Sequence, residues 1–257
     1  LRLNANVSYD NLWQEGHSLA LQFLTAPEES SEVKVAALTY LGRSVDSPDV
    51  WALYGVKSDS DVVALGTLGV VGRGWIVGAR RTYSMAFRPE RQASFTLGMD
   101  YKDFEERIAT TEVPEAETPI SYLTFSGTYA DAGRIGPLSL SGNAGIVLGV
   151  RGLGNTENEF AFKRYLGRPN FVALRGGGAI GWTSAAGGTF ARLRTTFQYA
   201  PQPLVSNEQF AYGGADTVRG YIESESFADR GFAGSAEVGA TWFRGDDTAR
   251  GLDTYLF

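Results

Sequence analysis

Few residues in this sequence could carry acid–base, nucleophilic or metal chemistry. The chain has 257 residues with one histidine, His17, and no cysteine. A hydrolase built on a serine–histidine pair would have to use His17 as its base, and no G-x-S-x-G motif is present. A structural zinc site is nearly excluded for the same reason. We therefore predict that the protein is not an enzyme and holds no metal.

Two other patterns have the residue spacing of binding motifs without the structural context that those motifs need. Gly176, Gly178 and Gly181 have the spacing of a dinucleotide fingerprint, but another predicted strand follows them instead of a helix. Glu112, Glu115 and Glu117 could collect calcium, although a solvated loop is the simpler interpretation. We predict that no cofactor is bound.

Alternation of apolar and polar residues runs through most of the chain, and helical periodicity is hard to find. Residues 93–102 and 138–151 are clear examples. A β-sandwich would also alternate. Many of these segments, however, reach ten residues or more, which matches a tilted membrane crossing better than a soluble strand. Aromatic side chains also cluster toward the strand ends, as the interfaces of a membrane barrel require. His17, at the start of such a segment, would then lie at a membrane interface.

The alternation predicts an all-β fold, a transmembrane antiparallel β-barrel in which about twelve strands are present. The strands are expected near residues 2–13, 17–26, 32–43, 49–58, 71–88, 92–107, 119–131, 136–152, 170–184, 188–200, 231–244 and 252–257. Residues 14–16 and 185–187 would form tight turns, and residues 110–118 and 152–168 would form loops on the other side. No second domain is indicated, and the net charge of −6 argues against a nucleic-acid partner.

The same alternation assigns side chains to the two faces of the barrel. Phe95 and Leu140 would face lipid, with Leu140 near mid-membrane. The lumen would be lined by polar side chains, namely Asp100, Arg192, Arg194 and Glu237.

The most distinctive pattern is an ordered set of residues between positions 207 and 244. It comprises Glu208, Phe210, Gly213, Gly214, Val218, Arg219, Gly220, Tyr221, Gly231, Gly234 and Glu237. This set resembles the long sixth extracellular loop of the outer-membrane polypeptide-transport superfamily. It is most similar to the two-partner secretion branch, the haemolysin and filamentous-adhesin exporters.

The resemblance implies that this loop folds back into the barrel lumen, where Arg219 is tethered to the wall. Glu237, on the next predicted strand, is the nearest acid in this sequence that could accept its planar guanidinium. Gly213 and Gly214 would lie at the loop base. Gly220 would permit a tight tip beside Val218, and Tyr221 would pack against the inner wall.

The resemblance covers essentially the whole chain, as strands two to thirteen of a probable sixteen. Several family features are missing: the plug helix, the two POTRA domains, the first strand, the last three strands and the aspartate that would follow Phe257. We expect an incomplete barrel domain over residues 1–257, and a complete twelve-stranded barrel is the alternative.

By this resemblance, the protein would be an integral barrel of the Gram-negative outer membrane, surrounded by lipid. It would export one large β-helical exoprotein from the periplasm to the cell surface. The alternatives are an assembly factor for outer-membrane proteins, a passive porin and a surface lipase.

Overall fold

The structure is a computed structural model that describes residues 3–25, 33–44, 46–60, 63–65, 68–70, 73–88, 90–110, 113–184, 188–214, 218, 220–221, 224–242 and 252–256. Its main element is one antiparallel sheet of twelve strands. The sheet strands are β1 (Leu3–Leu12), β2 (His17–Thr25), β3 (Val33–Arg43), β4 (Val50–Ser60), β7 (Arg73–Arg88), β8 (Arg91–Thr110), β9 (Val113–Ile135), β10 (Leu138–Val150), β11 (Val172–Thr183), β12 (Thr189–Tyr199), β15 (Gly231–Trp242) and β16 (Leu252–Leu256).

Each sheet strand pairs with the next one along the chain, so the sheet is a meander that begins at β1 and ends at β16. Two small hairpins lie outside it. These are β5 (Val63–Leu65) with β6 (Leu68–Val70), and β13 (Phe210–Tyr212) with β14 (Ser226–Ala228). One short helix, α1 (Glu157–Lys163), and one 3-10 turn (Ser206–Glu208) complete the described elements. The prediction of an all-β fold with about twelve long strands is confirmed.

Two predicted loops are in part regular structure. Residues 110–118 were expected to be irregular, but β8 runs to Thr110 and β9 begins at Val113. The acidic residues there raise the polarity without breaking the extended backbone, so polarity alone was misleading. The expected loop at 152–168 contains α1, which starts with a capping box in which Glu159 accepts hydrogen bonds from the backbone N–H and the hydroxyl of Thr156.

The two faces of the sheet differ as the alternation predicts. Phe95 lies on the outer face with Leu97 and Met99, whose side chains are exposed. Asp100, one residue further on, is buried on the inner face. The same parity places exposed aliphatic and aromatic side chains on the outside of most strands, including Leu21, Leu38, Leu53, Val77, Phe125, Leu174, Leu193 and Val238. An apolar outer band with a polar interior is the arrangement of a membrane barrel.

The two ends of the sheet also differ. One end has short turns, such as residues 13–16 and 136–137. At this end, the ring of His17 is surrounded on the outer face by Trp13, Tyr40 and Trp51, and its Nδ1 lies 2.7 Å from the Tyr40 hydroxyl. This cluster fits the interfacial role expected of His17. The other end carries the longer connections, and most of the buried hydrophobic cluster lies there. No helix in the described ranges is both long and apolar enough to cross a membrane.

The position of Leu140 differs from the expectation. It lies on the outer face opposite Ile180, but only two residues after the start of β10, so it is near the turn end of the strand. Ile146 is a large outward-facing residue that lies nearer the middle of the strand.

We predict that Ile146→Arg reduces the free energy of folding into a bilayer by about 2–4 kcal/mol, because a charge would face lipid near mid-membrane. Asn143→Arg, on the inner face of the same strand, should cost far less. Urea titration of both variants in lipid vesicles measures the difference. Equal losses would contradict the assignment of faces.

Candidate functional site

The segment between β12 and β15 lies against the inner face of the sheet. We call residues 200–230 the lumen segment. It passes through the 3-10 turn and then forms the β13–β14 hairpin, in which Phe210 pairs with Ala228 and Tyr212 with Ser226. At the start of β15, a Cβ on Gly231 would overlap the Phe210 ring and the Tyr212 hydroxyl. Gly231 therefore allows the hairpin to fold back onto the barrel wall.

A fully buried carboxylate anchors the lumen segment to three sheet strands. Glu208 Oε1 accepts hydrogen bonds from Lys102 Nζ at 2.6 Å and from the Tyr122 hydroxyl at 2.8 Å. Its Oε2 accepts one from Arg175 Nη2 at 2.8 Å. These donors lie on the inner faces of β8, β9 and β11, so one side chain joins the segment to three separate parts of the wall. We call Glu208, Lys102, Tyr122, Arg175 and Gln198 the Glu208 cluster.

The backbone of Glu208 is held by the same cluster. Its carbonyl oxygen accepts hydrogen bonds from Gln198 Nε2 and Arg175 Nη2, each at 2.9 Å. Arg175 Nε also donates to Gln198 Oε1 at 2.8 Å, which fixes the guanidinium plane. The carboxylate is thus paired with two cations and accepts a further hydrogen bond from Tyr122, which is the condition under which a buried charge is tolerated.

Burial and charge act in opposite directions on the pKa of Glu208. Burial raises it, but the Lys102 ammonium and the Arg175 guanidinium outweigh burial and lower that pKa from 4.5 to about 2. The carboxylate is therefore ionised at every physiological pH.

The depressed pKa of Glu208 gives a pH prediction. Its contribution to stability should be complete above about pH 4.5 and disappear progressively as the pH falls to about 2, because the folded state holds the proton less tightly than the unfolded state. The measurement is the thermal unfolding midpoint of the wild type minus that of Glu208→Gln across this range. A difference that has already vanished at about pH 6 would show that the carboxyl is not held by cations.

A second ionic node closes the base of the lumen segment. Asp229 accepts hydrogen bonds from the Leu204 backbone N–H at 2.9 Å, from Gln209 Nε2 at 3.1 Å and from Arg164 Nη2 at 2.7 Å. Arg164 also donates to the Leu204 carbonyl at 2.8 Å. Because Arg164 follows α1, this node joins the β10–β11 connection to the lumen segment.

Aromatic side chains cover the Glu208 cluster on the side of the long connections. Phe160 of α1 is fully buried, and its ring lies edge-on to Tyr122 at a centroid distance of 5.8 Å. Phe171 contacts Tyr122 in the same manner at 6.1 Å. A Cβ at Gly149 would overlap the Phe171 ring, so a glycine is needed on β10. With Leu204 and Val205, these rings separate the buried charges from water.

The residues of the predicted loop motif lie beyond the anchored part of the segment. Gly213 and Gly214 follow β13 directly, at the distal end of the hairpin and not at the loop base as expected. Their φ values of 108° and 91°, and that of 91° at Gly220, require a residue without a Cβ. Gly214 bridges to Val218, and Gly214 N–H donates to the Tyr221 carbonyl at 3.2 Å, so these three residues lie close together.

Two expectations for the tip have different outcomes. Tyr221 is 63% exposed, which differs from the expected packing against the inner wall. Arg219 lies outside the described residues, and its tether to Glu237 stays a prediction. Similarly, Glu112 lies outside the described ranges, and those ranges contain no group of three acidic, histidine or cysteine side chains that could hold a metal.

The other predicted lumen residues lie on the inner face. Glu237 of β15 is directly opposite Arg192 of β12, and Arg194 is opposite Ser235. Asp100 accepts a hydrogen bond from the Tyr54 hydroxyl and lies 3.7 Å from Arg80 Nη2. A Cβ on Gly78 would overlap both Asp100 and Tyr54, so this contact depends on a glycine in β7.

Sequence reasoning counted Glu208 in the loop pattern but did not recognise it as the anchor. It also missed Lys102, Arg175 and Asp229. Lys102 and Arg175 each stand on the inward parity of a strand, beside apolar inward residues such as Phe104 and Ala173. A cation among buried apolar residues indicates an acidic partner nearby. Glu208 could have been proposed as that partner, because it is an acid with a defined position in the loop motif.

The family model for the haemolysin secretion/activation protein ShlB/FhaC/HecB matches residues 65–250, more than half of the chain. The chain belongs to the ShlB/FhaC/HecB family. The matched region of this ShlB/FhaC/HecB barrel includes the Glu208 cluster and Asp229. No curated protein sequence matches the chain.

Solved structures share the fold of this family member at low sequence identity. CdiB from Escherichia coli has a TM-score of 0.71 at 12% identity, covering 94% of this chain and 45% of that one. CdiB from Acinetobacter baumannii has a TM-score of 0.60 at 16% identity, and the match covers 99% of this chain and 49% of that one. BamA from Haemophilus ducreyi lacking POTRA domains 1–3 has a TM-score of 0.64 at 11% identity, and the match covers 99% of this chain and 54% of that one. The chain thus spans about half the length of each. The family and these barrels identify an outer-membrane β-barrel protein of Gram-negative bacteria.

Proposed function

We propose that the protein containing this barrel exports one large β-helical exoprotein across the outer membrane, without ATP and without covalent catalysis. Folding of the exported chain outside the cell would supply the energy. The observation that carries the proposal is the anchoring of the lumen segment by Glu208, a residue of the pattern shared with two-partner exporters. A passive pore has no need for a loop held to three strands by one buried carboxylate.

The inner wall beside the lumen segment offers a route for an extended polypeptide. An open cavity of about 1180 Å³ lies there, lined by small and polar residues such as Ser94, Asn143, Gly177, Thr196 and Ser235. Arg194 also lines it, between Ala179 and Ser235 on the neighbouring strands. No acidic side chain pairs with Arg194 in the described part of the chain, so its guanidinium is available to carboxylates of a passing polypeptide. We propose the same contact for Arg192, which stacks on Phe190.

The test is export of a large secreted protein chosen from the genes that neighbour this one, in a host that otherwise lacks both proteins. We expect that protein in the medium only when the transporter is present. Appearance of the secreted protein without the transporter would refute the proposal.

Assembly of outer-membrane proteins is the second candidate, favoured by the similarity of this barrel to BamA. It predicts that depletion lowers the amounts of many outer-membrane proteins. Export of a single partner predicts that those amounts stay constant. A passive porin predicts solute flux that does not depend on Glu208 or Arg219.

A further inference from the structure

The connection that carries α1 presents an unusual apolar surface to solvent. Phe162 is 80% exposed and Tyr165 is 83% exposed, and Leu153 and Leu166 are more than half exposed. We call these four residues the outer patch. Four large apolar side chains exposed within one connection exceed the singly scattered ones that are normal on a soluble surface.

The outer patch lies on the connection between β10 and β11 and not on the outward face of a sheet strand. Its connection folds inward, because Phe160 contacts the inward-facing Tyr122, and Arg164 contacts Asp229 at the base of the lumen segment. The exposed residues of the outer patch therefore lie at the end of the sheet that carries the long connections, on a segment anchored by Phe160 and Arg164. By contrast, Phe232 and Val238 stand on the outer face of β15, where a bilayer covers them.

The backbone under the outer patch is held in a costly conformation. Leu166 has φ = 59°, in the left-handed region that a branched apolar residue rarely adopts. The next residue, Gly167, is buried, donates to the Arg164 carbonyl at 2.8 Å and has no room for a Cβ. Phe160 anchors the other side of the turn. The fold thus positions Tyr165 and Leu166 outward although burying them would be more stable.

The surroundings of the outer patch are basic in an acidic chain. The whole chain has a net charge of −6. Residues 151–171 contain four basic residues and two acidic ones, namely Arg151, Lys163, Arg164, Arg168, Glu157 and Glu159. Arg164 is paired with Asp229, so the excess positive charge lies at the other basic residues. Glu157 is shared between Arg151 at 3.3 Å and Arg168 at 3.7 Å, so one acid faces two guanidinium groups. A partner with apolar and acidic side chains complements this surface.

We infer that the outer patch is a docking surface for the exported polypeptide as it emerges from the barrel mouth. The inference rests on the proposed export function. Its occupant is an extended segment of the exported chain, with aromatic or aliphatic side chains on Phe162 and Tyr165 and acidic side chains toward Arg151 and Arg168. Such a contact would hold the emerging chain at the cell surface while its first folded turns form.

The test places a photoreactive phenylalanine analogue at position 162 of the full-length transporter during export. The matched control has the same analogue at Phe232, an aromatic residue of 66% exposure on the lipid-facing side. We expect position 162 to crosslink to the secreted protein and position 232 to crosslink only to lipid. The double variant Phe162→Ser with Tyr165→Ser should slow release of the secreted protein about fivefold, with unchanged amounts of barrel.

Three results would overturn the inference while leaving the export proposal intact. The first is export by the wild type with no crosslink at position 162. The second is a crosslink at this position to lipopolysaccharide alone, which would assign the outer patch to the membrane. The third is unchanged release by the double variant. Absence of export by the wild type would instead overturn the proposed function.

Discussion

Replacing Glu208 with alanine should release the lumen segment from the barrel wall. The substitution removes the acceptor of Lys102, Tyr122 and Arg175, and it leaves the largely buried Lys102 and the partly exposed Arg175 without their carboxylate. Removing one member of a buried ion pair costs about 3–5 kcal/mol, because the remaining charge is uncompensated. The Asp229 node would still hold the base of the segment, so we expect the release at the 3-10 turn and the β13–β14 hairpin.

Release can be measured with a single introduced cysteine, because the chain contains none of its own. We expect Ala211→Cys, in β13, to react slowly with a membrane-impermeant maleimide in the wild type and quickly with Glu208→Ala. Phe162→Cys, on the exposed outer patch, is the control that should react quickly in both. Equally slow labelling of Ala211→Cys in both backgrounds would show that Glu208 is not the anchor.

Lys102→Met should partly restore the anchorage of Glu208→Ala, because it removes one stranded cation. In the wild-type background the same substitution should weaken anchorage, since Arg175 alone would then balance Glu208. This opposite response distinguishes charge pairing from general damage to the core.

Alternation predicted the strands and their faces because the pattern is repeated within each strand and needs no distant partner. The Glu208 cluster could not be predicted in this way. It depends on β8, β9, β11 and the 3-10 turn meeting in space, across as many as 106 positions of sequence between Lys102 and Glu208. The motif fixed the place of Glu208 in a pattern, but not which wall residues lie opposite it.

The helix α1 illustrates a different limit. Its seven residues are too few to show helical periodicity, and glycines surround it at positions 152, 154 and 167. Only Phe160 points inward, so no repeating apolar face was visible. The prediction of a loop at residues 110–118 was wrong for the opposite reason, because the sequence of a charged, extended hairpin resembles that of a loop.

Arg219→Ala should abolish or sharply reduce export while the barrel still inserts into the outer membrane. The family resemblance carried by the motif around Val218 and Gly220 implies that the Arg219 guanidinium is tethered to a lumen carboxylate, with Glu237 as the candidate partner. Stranding that carboxylate would cost about 3–5 kcal/mol, enough to free the tip of the lumen segment. The secreted protein in the medium and the heat-modifiable barrel in membranes are the two measurements.

Conservative variants identify the chemistry of the Arg219 tether. Arg219→Lys should restore export only in part, because an ammonium group cannot reproduce the two parallel hydrogen bonds of a guanidinium. Glu237→Gln should resemble Arg219→Ala if these two residues are partners. If Glu237 instead balances Arg192, which lies opposite it, Glu237→Gln should have a smaller effect than Arg219→Ala.

Export by Glu208→Ala, compared with Glu157→Ala, tests most directly whether an anchored lumen segment is needed for export. Glu157 is a matched control, since it also faces two cations but lies on the surface. With both barrels present at wild-type amounts, we expect Glu208→Ala to lose export and Glu157→Ala to retain it. Wild-type export by Glu208→Ala would contradict the account.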